Sequence, residues 1–144
     1  MADIYVTDGK VFHGEIIAIK ENYIHIKRKY SEEEKKKYGY KTNYNHTYIL
    51  FKGIKDEACR SFFKTCSRIT SFSFETVLVC LYPFIFDDIC FTVGFRNHDI
   101  NDIQVGYFDG VKKQKLVLKS KHRKGEIIKI NLDDIIWLMS DNEL

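Results

Sequence analysis

The sequence is poor in residues that break or staple a chain. It holds one proline, Pro83, and four cysteines among 144 residues. The cysteines are Cys59, Cys66, Cys80 and Cys90; Cys80 and Cys90 stand between apolar residues, as in Val79-Cys80-Leu81 and Ile89-Cys90-Phe91. A chain of this length can bury a core without disulfides. We therefore expect free, buried thiols and a reducing compartment, the cytoplasm.

Long hydrophobic runs and targeting signals are also missing. The stretch Met1–Tyr5 has no basic segment followed by an apolar run, so we predict no secretory signal. The longest apolar stretch, about residues 77–86, is too short to cross a bilayer as a helix. We expect no membrane partner.

Motifs of catalysis and cofactor binding are absent as well. The sequence has no Cys-x-x-Cys or His-x3-His spacing and no glycine-rich phosphate loop. His98 stands beside Asp99 without a recognisable nucleophile. The pairs at 87–88 and 133–134 are adjacent aspartates, which point to opposite faces of a strand and make poor acid/base couples. We expect no enzyme activity, no metal and no cofactor.

What the chain does contain favours strands. Aromatic residues make up 15% of it, and Tyr23–Lys27 alternates apolar and polar positions with a period of two. The best helix candidate is residues 56–69, which Asp56 can cap, and one or two helical turns are also expected near residues 31–37. We predict an α+β, strand-rich fold: a small-barrel-like antiparallel sheet with one principal helix. Residues 1–144 would form one compact unit, with 1–54 and 70–144 as alternative sub-units.

Apolar residues at strand and helix spacing define the predicted core. Its members are Val11, Ile16, Ile19, Ile24, Ile26, Phe62, Cys66, Val77, Val79, Phe91, Val93, Ile128, Ile130, Ile135 and Leu138.

One internal similarity links the two ends of the chain. Residues Gly14–Ile19 resemble Gly125–Ile130, and each segment is followed by a second apolar segment. Two interpretations stay open. Strand–turn–strand units resemble one another in any protein, or the chain holds two related small barrels.

Two short motifs carry a family resemblance. The string Asp8-Gly9 with Phe12 and Gly14 resembles the first motif of Sm-like proteins, and Ile49–Gly53 resembles the second, with Lys52 in place of arginine. The resemblance covers residues 4–54 and implies a small barrel, RNA binding and ring assembly. Lys20 and Ile24 stand where the family has an acid and a base-contacting asparagine, so uridine recognition does not follow.

Basic residues cluster in two segments of the chain. Residues 111–124 carry seven cations and no acid, and a second segment surrounds residues 27–41. Such clusters are solvated surfaces or anion-binding surfaces. The candidate phosphate contacts are Lys119, Lys121, Arg123 and Lys124, joined by Lys27, Arg28 and Lys29 if the segments meet in space. Candidate stacking residues are Tyr38, Tyr40 and Tyr44.

These patterns predict a non-enzymatic binding module for an anionic partner, with nucleic acid as the first choice. The alternative is a small protein-binding inhibitor, immunity protein or adaptor, since tyrosine-rich surfaces also serve protein interfaces. A homo-oligomer is compatible with either role.

Overall fold

A computed structural model describes residues 2–20, 22–39, 43–66 and 90–140. Within these ranges nine strands form one antiparallel sheet that is accompanied by two helices, as the strand-rich α+β prediction requires. The elements in chain order are β1 (Ala2–Tyr5), β2 (Val11–Ile19), β3 (Tyr23–Lys29), α1 (Glu32–Tyr38), β4 (Tyr44–Leu50), α2 (Glu57–Cys66), β5 (Cys90–Asn97), β6 (Ile100–Lys112), β7 (Lys115–Ser120), β8 (Ile127–Asn131) and β9 (Ile135–Ser140).

Both helices begin at polar caps that the sequence supplies. The Asp56 carboxylate accepts a hydrogen bond from the Ala58 amide at 2.9 Å, which confirms the predicted start of α2. Residues 67–69 of the predicted helix lie outside the described ranges. At α1 the Ser31 side chain and the Glu34 side chain form a reciprocal capping box. The helical turns predicted near residues 31–37 are therefore confirmed.

The sheet order is β1-β2-β3-β4-β9-β5-β6-β7-β8. Strand β9 lies between β4 and β5, so that Leu138 pairs with both Tyr48 and Val93. Strands from 1–54 and from 70–144 thus belong to one sheet. Two strands do follow Gly125, as predicted, but β8 and β9 are not neighbours in the sheet, because a 3-10 turn over Leu132–Asp134 redirects the chain from β8 to the middle of the sheet.

The predicted small barrel is not formed, because the sheet stays open: β1 and β8 are its two ends among the described strands. One isolated bridge, Val6 to Ile54, links the start of the chain to the segment after β4. Hydrogen bonds from Thr7 N to Gly53 O (2.9 Å) and from Lys55 N to Tyr5 O (2.8 Å) flank it. The bridge does not extend into a ladder, and β9 prolongs the sheet beyond β4 instead.

Two apolar clusters lie on opposite faces of the central strands. Cluster one comprises Tyr23, Tyr48, Leu50, Phe91, Val93, Phe108, Leu116, Leu118, Ile130, Leu132, Ile135 and Leu138. Cluster two comprises Ile4, Val6, Phe12, Ile24, Ile26, Ile49, Phe51, Ile54, Phe63, Ile136 and Trp137. Strands β4 and β9 contribute to both clusters, which explains why their residues form nearly continuous buried runs.

Most of the predicted core residues that can be assessed are buried or partly buried. Those buried are Ile24, Ile26, Phe91, Val93, Ile130, Ile135 and Leu138. Ile19 and Ile128 are partly buried against the clusters. Val77 and Val79, as well as the side chain of Cys66, lie outside what the structure describes.

Three core predictions are wrong. Val11 is 51% exposed because Phe12, its neighbour on the opposite face of β2, occupies the core. Phe62 is 61% exposed because Phe63 is the residue of α2 that packs into cluster two. Ile16 faces cluster two beside Ile26, but a register shift between Ile16 and Ala18 leaves it 37% exposed.

Candidate functional site

The face of β6, β7 and β8 that points away from cluster one carries a group of lysines. Along β7, Leu116 and Leu118 point into cluster one. Side chains alternate along a strand, so Lys115, Val117 and Lys119 point to the other side. We call this side of β6–β8 the outer face.

Register places further lysines on the outer face. Lys112 of β6 is the cross-strand partner of Lys115, and Lys129 of β8 is the partner of Val117. Directly paired residues share a face, so these side chains surround Val117. The resulting groove has a volume of about 390 Å³. Its lining residues are Asp109, Lys112, Lys113, Lys115, Val117, Ile127 and Lys129.

The turn between β6 and β7 positions one of these lysines. Lys113 and Gln114 both have positive φ, at 51° and 64°. Two successive left-handed residues are typical of the type I′ turn, whose twist matches that of an antiparallel hairpin. This turn holds Lys113 at the end of the groove next to the Lys112–Lys115 pair.

The charge of the outer face is nearly all of one sign. The outer face carries the four lysines that line the groove and, beside them, Lys119. The one carboxylate that lines the groove belongs to Asp109, which lies 3.9 Å from the Lys119 ammonium. Beneath them Val117 is 3% exposed, whereas Ile127 at the rim is 49% exposed. Clustered cations over an apolar floor create a positive potential that attracts polyanions.

The predicted cations beyond β7 occupy the exposed turn between β7 and β8. The Arg123 amide donates to Ser120 Oγ at 3.0 Å, and its guanidinium lies 3.5 Å from Glu126. An ion pair so exposed contributes little stability. Lys121 and Lys124 are exposed in the same turn. This turn therefore adds cations at one end of the outer face.

The basic residues of β3 lie elsewhere. Four strands separate β3 from β7 in the sheet order, and Lys27 shares the cluster-one face with Tyr23. Its ammonium lies 3.8 Å from the centre of the Tyr44 ring. Arg28 forms a two-pronged ion pair with Glu34, and Lys29 is exposed. The structure does not bring these residues onto the outer face.

The predicted stacking tyrosines are likewise remote from the outer face. Tyr38 ends α1 and is 57% exposed, with Lys37 5.2 Å from its ring centre. The Tyr44 ring is in cation–π contact with the Lys27 ammonium. Tyr40 lies outside the described residues. The aromatic residue that does pair with Lys119 is Tyr107 of β6.

Sequence reasoning missed Tyr107 and Lys129 as members of the site. Both occur within strand-like apolar runs, Val105–Phe108 and Ile127–Ile130. Alternation within each run could have shown that they point away from the core. Only the pairing of β7 with β6 and with β8 places them beside the lysines of β7.

A second polar group lies on the cluster-one face of β3 and β4. Nε2 of His25 is 2.9 Å from Nδ1 of His46, and the His25 ring stacks on Tyr48 with centroids 4.5 Å apart. Burial, His46 and Lys27 lower the pKa of His25 to about 4, and burial raises the pKa of Tyr48 to about 12. Both side chains are thus neutral at physiological pH and serve as packed hydrogen-bonding groups.

A second cavity of about 460 Å³ has mixed charge. It is lined by Thr7, Lys52, Arg96, Asp133, Asp134 and Ile136. The Lys52 ammonium donates to the Asp133 carbonyl, and burial lowers its pKa against the opposing effect of both aspartates. Because cations and carboxylates balance here, this cavity has no marked preference for an anion.

The two cysteines whose state is described, Cys59 and Cys90, are free thiols, and both are half-buried. Burial and the nearby Asp56 raise the pKa of the Cys59 thiol. This disfavours the reactive thiolate. Neither helix of the described chain is long and apolar enough to span a membrane.

Comparisons with protein-family models, curated proteins and solved structures found no match. The resemblance of residues 4–54 to Sm-like proteins therefore stays a prediction.

Proposed function

We propose that this chain is a non-enzymatic nucleic-acid-binding module and that the outer face is its contact surface. The observation that carries the proposal is the grouping of Lys112, Lys113, Lys115, Lys119 and Lys129 around a single carboxylate. Lysine ammonium groups bind phosphate oxygens as point charges, and each contact releases counterions from the polyanion. The exposed cations of the β7–β8 turn extend this surface.

The experiment is a salt titration of binding to labelled mixed-sequence RNA and DNA. Wild type is compared with the triple variant Lys112→Glu, Lys115→Glu and Lys129→Glu. The matched control carries Lys36→Glu, Lys37→Glu and Lys55→Glu, which are exposed lysines of α1 and of the segment before α2. Both triple variants change the net charge equally, so their comparison separates the effect of position from that of total charge.

We expect micromolar binding at low salt that weakens steeply as salt rises. The outer-face variant should lose the equivalent of about three phosphate contacts, which lowers the slope of log K against log salt by about 2 to 3. The control should retain most of the wild-type slope. Absence of binding at 50 mM salt, or equal losses in both triple variants, would contradict the proposal.

A protein partner is the second candidate, favoured by one exposed apolar pair. Tyr5 and Val11 are cross-strand partners on β1 and β2, and they are 56% and 51% exposed. Among the described strands β1 is also an edge of the sheet, and exposed edges can pair with a strand of another chain. A pull-down that compares three proteins tests this role. A partner captured by the wild-type protein should be lost from the double variant Tyr5→Ser and Val11→Asp, and it should still be captured by the outer-face variant.

A further inference from the structure

We infer that the outer face takes a single nucleic-acid strand in preference to a duplex, with bases against Tyr107 and Ile127 on either side of Lys119. This inference rests on the proposed function and names the form of nucleic acid that the same surface accepts.

Three side chains form a row across the outer face. Tyr107 is the ladder partner of Lys119, and Lys119 is the ladder partner of Ile127. Partners in adjacent ladders point to the same face, and neighbouring strands lie about 4.8 Å apart. The row therefore spans about 10 Å and presents an aromatic ring, a cation and an aliphatic side chain in succession.

The lysines of the outer face form a track along β7. Lys115 and Lys119 are four residues apart on β7, which corresponds to about 13 Å along the strand. Val117 lies between them with Lys129 as its partner. The cations thus follow β7 lengthwise on both sides of an apolar floor. Such a track suits the backbone of a short stretch of one strand.

Charge is unevenly distributed along that track. Asp109 lies 3.9 Å from Lys119 and offsets part of its charge, whereas Lys112, Lys115 and Lys129 lie toward the other end. Within the groove, phosphate attraction is therefore strongest away from the Tyr107–Lys119–Ile127 row, and the exposed cations of the β7–β8 turn lie beyond the row on its other side. The row itself offers apolar side chains on both sides of Lys119: the Tyr107 ring is partly exposed, and Ile127 is 49% exposed.

A single strand and a duplex offer different chemical groups to this surface. A single strand exposes the faces of its bases, which stack on aromatic rings regardless of sequence. A duplex keeps those faces in its stack and offers phosphates and groove edges. Tyr107 and Ile127 therefore contribute to binding a single strand and have no comparable partner on a duplex.

The experiment measures fluorescence anisotropy with a labelled 12-nucleotide single strand of mixed sequence and with the same sequence as a duplex, at one salt concentration. Inorganic polyphosphate, a chain of phosphates without bases, is the competitor. The variants are Tyr107→Leu, Tyr107→Phe as the ring-preserving control, and Ile127→Asn at an exposed position. Thermal melting of each variant checks its folding.

We expect the single strand to bind at least tenfold more tightly than the duplex. Tyr107→Leu should weaken single-strand binding about tenfold, as loss of a base–aromatic stack does. It should leave duplex binding and polyphosphate competition unchanged, and Tyr107→Phe should resemble wild type. If Tyr107→Leu does not fold, Ile127→Asn, which should weaken single-strand binding selectively, decides the matter.

Equal or tighter binding of the duplex would overturn the inference. So would wild-type affinity for the single strand in both Tyr107→Leu and Ile127→Asn. Either result leaves the proposed function intact, because that function fails only if neither nucleic acid binds or if reversing Lys112, Lys115 and Lys129 has no greater effect than the control.

Discussion

Nε1 of Trp137 donates a hydrogen bond of 2.7 Å to Oδ2 of Asp8, a residue 129 positions earlier in the chain. The other carboxylate oxygen of Asp8 accepts from the Lys10 amide at 3.1 Å. Trp137 is fully buried, and Phe12 contacts it edge-on at 5.0 Å between centroids. The turn after β1 is thereby attached to the central strand β9.

Removing the acceptor should destabilise the fold. In Asp8→Ala the buried indole N–H loses its partner, and we expect the free energy of unfolding to fall by about 2 kcal/mol. Asp8→Asn retains a side-chain oxygen and should lose less. Urea denaturation followed by tryptophan fluorescence gives both values. Equal stability of Asp8→Ala and wild type would show that the hydrogen bond contributes nothing measurable.

Gly94 is the residue of β5 that faces the Trp137 ring. A Cβ atom built at Gly94 would overlap the indole atoms Nε1, Cε2 and Cζ2. We expect Gly94→Ala to destabilise the protein by about 3 kcal/mol, because the ring is fully buried and has little room to shift.

A double-mutant cycle isolates that overlap. Trp137→Phe removes part of the indole, so the cost of Gly94→Ala should be smaller in the Trp137→Phe background. Thermal or urea unfolding of the four proteins supplies the coupling free energy. Strict additivity would place the cost of Gly94→Ala in the backbone of β5 and not in contact with Trp137.

His25 should make stability depend on pH between about 4 and 6.5. Its pKa in the folded protein is about 4, lowered from 6.5 by burial, His46 and Lys27. The unfolded chain therefore binds the proton more readily in this interval, and stability falls as the pH is lowered. NMR titration should show a neutral His25 ring down to about pH 4. His25→Phe should flatten the dependence of stability on pH, whereas His122→Gln, at an exposed position, serves as the control.

Glu34 should act in a lower pH interval. The Arg28 side chain and the Ser31 amide lower the pKa of its carboxyl from 4.5 to about 2. The stabilisation is thus present above pH 4.5 and is lost as the pH falls toward 2. Because the pair is partly exposed, we expect Glu34→Gln to cost less than about 1 kcal/mol near neutral pH. Stability measured from pH 5 to 2 should vary less in Glu34→Gln than in Glu33→Gln, the control on the same helix.

Local signals in the sequence predicted local structure well. Asp56 marked the start of α2, and alternation in Tyr23–Lys27 marked β3. A period gives the spacing of core residues but not always which residue of an adjacent pair is buried. For that reason Val11 was predicted in place of Phe12, and α2 buries Phe63 rather than Phe62.

Long-range pairing was beyond the reach of a single sequence. Nothing local in Ile135–Ser140 indicates that it pairs with β4 and β5, and so the open sheet was not foreseen. The basic segment that contains Lys119 was recognised from its charge. Its partners Lys129 and Tyr107 depend on register, which pairs residues from three separate parts of the chain.

The central position of β9 has a consequence for biosynthesis. Its residues are the last of the nine strands to be made, yet both halves of the sheet depend on them. Until residue 140 has been synthesised, the nascent chain exposes the unpaired edges of β4 and β5 together with parts of two apolar clusters. Open edges of this kind invite aggregation and engage chaperones. The final fold therefore assembles after synthesis of β9, and not progressively from the N-terminus.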